Sequence, residues 1–312
     1  MFKKILKRVP IPLGGLALGL VAIGNLMGGN IKTILSYISL FLILLFILRL
    51  IFVPDMLKEE LNNSALVSVL PTFDMALFLL NGMIKEFSVG LAKFIYYFAL
   101  ILHIALIIYY TYKFLIKNFK LENIYASTFI VYIGIVAAAN VSPLWELQNL
   151  GRIIVYFALI VILPLLYLVT RRYRSDLEVA PPFRPLFFIY AAPVSLILAG
   201  YHTVFEQKSF GLVVFLQILA QVLLVISIIN LPKILKNGFT PSFAGLTFPA
   251  VISAIALNAS NMYFKNLSYD YKILDILVNI EKYFALIIVI YVLIKFIEFI
   301  FVSPFKAQDE VK

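Results

Sequence analysis

Charged residues in this chain fall largely in short breaks between long apolar runs, and ten such runs can be drawn. They cover residues 11–29, 33–53, 63–84, 91–116, 123–142, 151–170, 184–205, 210–232, 241–262 and 273–303. Crossing the hydrocarbon core of a bilayer takes about 20 mostly apolar residues in a helix. Inside lipid the backbone polar groups must be satisfied within the segment, which leaves helices as the answer for runs of this length. The runs therefore predict an all-α integral membrane protein with ten transmembrane helices in one domain spanning residues 1–312. The last run is long enough to tilt or to continue past the bilayer. The chain is 63% hydrophobic and 13% charged. Soluble domains sit near 45–50% and about 25%, so little is left for a soluble domain.

The net charge of +10 would suit a nucleic-acid partner if the basic residues formed a face. They form clusters between apolar runs instead, as in positive cytoplasmic loops. With the N-terminus placed inside, 18 of the 26 Lys and Arg fall on the cytoplasmic side. The clusters are Lys3, Lys4, Lys7 and Arg8; Arg49 and Lys58; Lys113, Lys117 and Lys120; Arg171, Arg172, Arg174 and Arg184; Lys233 and Lys236; and Lys295, Lys306 and Lys312. Both termini are thus expected in the cytoplasm, as an even number of crossings requires. The basic N-terminus before an apolar run resembles a signal peptide. The run is long and nothing soluble follows it, so it reads as an uncleaved first helix. With no Cys and two His, neither a disulfide nor a transition-metal site is expected, and no cofactor is implied.

The runs alternate in character. "RPLFFIYAAPVSLILAG" (184–200) and "TPSFAGLTFPAVISAIA" (240–256) align without gaps, matching Pro185, Phe187 and Pro193 to Pro241, Phe243 and Pro249. The third run holds Pro71 in "SVLPTFDMALFLLNG". The first reads "PLGGLALGLVAIG", including Gly19, and the fifth "FIVYIGIVAAAN". Even-numbered runs are rich in Leu, Ile, Phe and Tyr, with Pro164 the main exception. Small residues allow close helix packing in lipid. Proline frees a carbonyl that a neighbour or a water-filled cavity must satisfy. Five kinked, small-residue helices are therefore expected inside and five greasy ones outside, as five tandem hairpins around a central pore.

Asp74 lies about 16 Å into its run at 1.5 Å per residue, near the midplane. An ionisable residue there is a functional candidate. A permanent carboxylate would repel a permeant anion. Three readings stay open: Asp74 is protonated, it pairs with a base, or it couples transport to protons. Against them stands a structural one, a neutral acid bonded to backbone freed by Pro71. His103, on an outer run, reads as a packing or interface histidine. His202 and Glu206 read as a solvated helix end or a pH-sensitive mouth pair. Asn140 and Asn258 read as vestibule-lining groups or helix caps. Arg152 and Glu146 read as a surface pair. Arg171, Arg172 and Arg174 set topology or attract anions to the inner mouth. No phosphate-binding loop, dinucleotide fingerprint, zinc motif or nucleophile elbow is present, so an enzyme is not expected. A membrane-embedded enzyme would need converging catalytic groups where only scattered ones exist.

The tandem hairpins, "IPLGGLALGLVAIGN" at the start and "SFAGLTFPAVISA" in the ninth run resemble the tellurite-resistance/dicarboxylate transporter family. That TehA-like family takes in fungal malate and sulfite transporters and plant slow anion channels. The resemblance covers almost the whole chain and implies a homotrimer in the inner (plasma) membrane, each protomer with its own anion pore. It further implies a Phe of the ninth helix as plug. The matching position is Phe248, with Pro249 and Gly245 aiming and accommodating the ring and Phe243 as fallback. The competing reading is that Phe248, one of 28 Phe, fills a helix interface. Phe243, Asp74, Pro71, Pro193 and Gly19 are the pore-lining candidates. The expected function is passage of small anions: chloride, nitrate, sulfite, tellurite or a C4-dicarboxylate. The alternative is a proton-coupled carrier of organic acids using Asp74.

Overall fold

The computed structural model describes residues 2–236 and 238–302. The basic residues Lys306 and Lys312, and the end of the last expected run at residue 303, lie outside them. Among the described residues all regular structure is helical. Ten segments make the body: α1 (Leu13–Met27), α2 (Gly29–Phe52), α3 (Ser64–Phe87), α4 (Val89–Lys117), α5 (128–141), α6 (Gln148–Arg174), α7 (Pro181–Val204), α8 (Phe210–Leu235), α9 (Pro241–Asn266) and α10 (Lys272–Val302). Eight of them are long and apolar enough to cross a membrane. The other two differ from the expected full-length runs. Pro10 and Pro12 delay the start of α1, which has 15 residues. α5 is split into Thr128–Ile133 and Val136–Val141 at Gly134 and Ile135.

Burial separates the segments as their composition does. Of the most apolar stretch of α3, α7 and α9, 78%, 83% and 78% is buried; for α2, α4, α6, α8 and α10 the values are 44%, 28%, 33%, 39% and 33%. Every residue of α1 from Leu13 to Gly24 is buried, as is α5 from residue 131 to 139. The inner segments close a ring: α1 packs on α3, α3 on α5, α5 on α7, α7 on α9 and α9 back on α1. Each outer helix packs on its hairpin partner and on the next inner segment, with α10 closing onto α1. The outer faces present large apolar side chains such as Phe41, Phe94, Ile160, Phe215 and Ile287. Water does not tolerate so continuous an apolar surface, whereas lipid does.

Besides α5, three inner segments change geometry partway. In α3, Ser64–Val69 gives way to Thr72–Phe87 across Pro71. In α7 a tight helix over Pro181–Ala191 passes into an α-helix at Pro193. In α9 the tight stretch Pro241–Leu246 passes into an α-helix at Thr247. Proline suits the first turn of a helix, where its missing N–H leaves no bond broken. Pro71, Pro193 and Pro249 all occupy such places, so they restart helices instead of breaking them.

Several charged residues are structural. Arg49 is buried and pairs with Glu60 of the short helix Pro54–Glu60. Arg172 is also buried and donates to the carbonyls of Leu177 (2.6 Å) and Glu178 (3.0 Å), fixing the loop after α6. Arg171 and Arg174 border a surface groove. Arg152 donates to the Val204 carbonyl at 3.1 Å, not to Glu146, which turns the chain with a φ of 59°.

Candidate functional site

The level at which the inner segments break brings small residues to the ring's axis. Gly15 of α1, Gly134 of α5, Ala192 and Pro193 of α7, and Ala244 and Gly245 of α9 surround a cavity of ≈ 30 Å³. A water molecule needs about 10–15 Å³ measured this way, so the cavity has room for roughly two. Leu18, Met75, Ile133 and Leu196 make most of the remaining wall apolar, and Thr72 adds a hydroxyl. All five inner segments contribute.

A second cavity, ≈ 230 Å³, lies toward the C-terminal ends of the inner segments, and again all five contribute. Its polar groups are Asn25, Asn140 and Thr203. Thr203 Oγ1 lies 3.5 Å from Asn140 Oδ1. Phe248 borders both cavities, and among the described residues no other is common to the two. It sits in the first turn of the α-helical part of α9, next to Pro249, and is 6% exposed. No Lys or Arg among the described residues borders either cavity.

The backbone that carries Phe248 is held by α1. A Cβ on Gly19 would meet the Cβ and Oγ1 of Thr247 at 2.6 Å. Thr247 Oγ1 lies 3.0 Å from the Gly15 carbonyl oxygen and 2.8 Å from that of Ala244, so its one hydrogen is shared between α1 and its own helix. Gly19 thus lets α1 approach the residue just before the ring. Gly245 is nearly as confined, since a Cβ there would lie 3.2 Å from Ile189 Cδ1.

Of the residues expected at the pore, Phe248, Pro249, Gly245 and Pro193 border the axial cavity. Gly19, Phe243, Pro71 and Asp74 do not, each for a physical reason. Gly19 packs α1 on α9. Phe243 is 1% exposed and points outward, its ring 5.4 Å from Phe239 and 6.5 Å from Tyr291 of α10. Pro71 ends the first part of α3, and its neighbour Thr72 reaches the axis instead. Asp74 is fully buried behind the wall and faces α4.

There Asp74 Oδ1 lies 2.5 Å from His103 Nδ1, while His103 Nε2 lies 3.1 Å from the Val131 carbonyl oxygen. A carbonyl only accepts, so Nε2 carries a hydrogen. One further proton is then shared between Nδ1 and the carboxyl, and the pair is electrically neutral overall wherever that proton sits. Of the readings given for Asp74, this geometry is the pairing with a base. His103, expected only to pack, is that base, and it bridges α3, α4 and α5. His202 Nε2 lies 3.0 Å from Ser260 Oγ, between α7 and α9. Asn140 borders the second cavity and Asn258 does not. Asn25 escaped the sequence reading, although its place at the end of the glycine-rich first run was a usable signal.

Among the described residues no group of three or more His, Cys, Asp or Glu is placed to hold a metal ion. A comparison with curated proteins finds no match. A profile described as voltage-dependent anion channel matches residues 8–297. That span takes in the whole ring of inner segments and the Phe248 turn, and the chain belongs to the voltage-dependent anion channel (SLAC1) family, whose members are anion channels and transporters.

Proposed function

We propose that this protein passes small anions along the axis of its five inner segments and that the Phe248 ring is the gate. The carrying observation is that Phe248, alone among the described residues, borders both axial cavities. A ring across an apolar constriction excludes water and blocks ions by dewetting. Three α-helical stretches, Thr72–Phe87, Pro193–Val204 and Thr247–Asn266, begin beside the inner cavity. Helix N-termini carry partial positive charge, about half an elementary charge each. They supply attraction for an anion without a basic side chain, and selection then rests on passage width, backbone dipoles and the cost of dehydration.

In this reading all ten segments cross the membrane, including short α1 and broken α5, with both termini cytoplasmic. The protein is a homotrimer in the cell's inner (plasma) membrane with one passage per protomer. Its substrates come from chloride, nitrate, sulfite, tellurite and C4-dicarboxylates such as malate. A flux panel of these anions on reconstituted protein, with and without a proton gradient, tests the reading. Anion flux that needs no proton gradient supports it; uptake driven only by a proton gradient favours the carrier reading based on Asp74. The place of Asp74 behind the wall, paired with His103, supports passage without it.

A further inference from the structure

One face of the outer helix α6 carries Ile160, Leu163, Tyr167, Arg171 and Arg174, spaced three or four residues apart so that the side chains stand one above another. Ile160, Leu163 and Tyr167 are 72%, 68% and 69% exposed, and both arginines are exposed. From Ile160 to Arg171 the helix rises about 16 Å at 1.5 Å per residue. A bilayer's hydrocarbon core is about 30 Å thick, so the apolar stripe is as long as one leaflet. The arginines stand at its edge, with Tyr167 at the depth where amphipathic rings settle.

A groove of ≈ 740 Å³ opens at the arginine end of this stripe, a volume within the range of small-ligand sites, about 300–1,000 Å³. Tyr167, Thr170, Arg171, Arg174 and Ser175 border it on one side and Leu121, from the loop after α4, on the other. Among the described residues no carboxylate borders the groove, and neither Arg171 nor Arg174 has an ion pair. Their neighbours are committed: Arg172 is buried and holds the Leu177 and Glu178 carbonyls, and Arg184 pairs with the Glu178 carboxylate. Tyr190 Oη donates to Thr170 Oγ1 at 3.3 Å, which leaves the threonine hydrogen for an acceptor in the groove. Two free guanidinium groups and a hydroxyl donor are the equipment for a phosphate. A free phosphate would have no use for the apolar stripe that leads to them, whereas a phospholipid needs both.

We propose that Arg171, Arg174 and Thr170 hold the phosphate of an anionic phospholipid whose acyl chains lie along Ile160, Leu163 and Tyr167. In the orientation given above, this end of the molecule is cytoplasmic, the side on which anionic lipid gathers. The binding itself depends neither on that orientation nor on what crosses the passage. Through Thr170 and Tyr190 the groove also touches the inner ring: the Tyr190 ring lies 5.4 Å from that of Phe129, which borders the axial cavity.

The test is photo-crosslinking of the purified full-length protein, in a neutral detergent, to phosphatidylglycerol carrying a diazirine in its acyl chain. Labelled positions are mapped by mass spectrometry, and phosphatidylcholine with the same diazirine is the comparison. We expect label within residues 160–167, about tenfold stronger with phosphatidylglycerol than with phosphatidylcholine. The double variant Arg171→Gln/Arg174→Gln should lose most of it, and Arg171→Lys/Arg174→Lys should keep most of it. Unlabelled phosphatidylglycerol should compete and inorganic phosphate should not. Both arginines are exposed, so Tm should hold in either variant. Native mass spectrometry is the second readout, in which the glutamine variant should retain fewer phosphatidylglycerol molecules than the unmodified protein. Equal labelling by the two lipids, or labelling indifferent to the glutamine pair, would overturn the proposal and leave the arginines to topology alone. Displacement by inorganic phosphate would make the groove a free-anion site and overturn the lipid assignment. No label at residues 160–167 together with equal lipid retention in the variant would overturn it too.

Discussion

His103 Nδ1 lies 2.5 Å from Asp74 Oδ1, and the opposite ring nitrogen lies 3.1 Å from the Val131 carbonyl oxygen. One side chain on an outer helix thus holds the start of the second part of α3 and the last turn before the break in α5. Met75, next to Asp74, and Gly134, at that break, both border the axial cavity. The pair fixes the passage wall from behind.

His103→Ala strands the Asp74 carboxyl and the Val131 carbonyl in the interior. An unsatisfied buried group costs about 1–3 kcal/mol, so thermal unfolding in detergent should show a clear drop in Tm. Asp74→Asn keeps a donor toward Nδ1 and should cost less. Under the channel reading Asp74→Asn leaves anion flux and its response to a proton gradient unchanged. Loss of a proton-gradient response in that variant would favour the carrier.

Gly19→Ala forces a methyl against Thr247, where the Cβ would lie 2.6 Å from the threonine Cβ and Oγ1. Overpacking of this kind costs about 1–3 kcal/mol. Because Thr247 precedes Phe248, basal flux should change along with Tm. A drop in Tm with unaltered flux would separate this contact from the gate.

Phe243→Ala should behave as a packing variant. Its ring sits against Phe239 and near Tyr291, and losing a buried Phe costs about 3–5 kcal/mol. Stability should fall with no gain in anion flux. A large gain would move the gate to this residue.

The alternation of small, proline-bearing runs with greasy ones was enough to separate inside from outside, because lipid rewards that division directly. The limits appear where one residue type serves two ends. Gly19 and Gly134 look alike in sequence, yet Gly134 borders the axis and Gly19 admits the neighbouring α9 backbone. Phe243 and Phe248 lie five residues apart on one element and face opposite ways. Asp74 stands out in the sequence as an ionisable residue near mid-depth, with pairing to a base one of several readings. The identity of that base as His103, 29 residues away on another helix, depends on how α3 and α4 are rotated against each other, which an apolar run does not encode. The short α1 and the split α5 were hidden because hydropathy records how apolar a stretch is and not where its helix begins.

Asn140→Asp places a negative charge in the second cavity beside Thr203. Repulsion should lower anion flux by about tenfold, equivalent to about 1.4 kcal/mol. Raising ionic strength should restore part of it through screening. Flux equal to that of the unmodified protein would show that anions do not cross this cavity.

The most direct measurement is anion conductance of Phe248→Ala against the unmodified protein in reconstituted bilayers, with oligomeric state and Tm checked in parallel. Removing the ring that borders both axial cavities should raise conductance by about tenfold or more. The gain should be largest for weakly hydrated anions, which lose least on entering an apolar passage. A variant that folds and assembles like the unmodified protein but conducts no better would contradict the account.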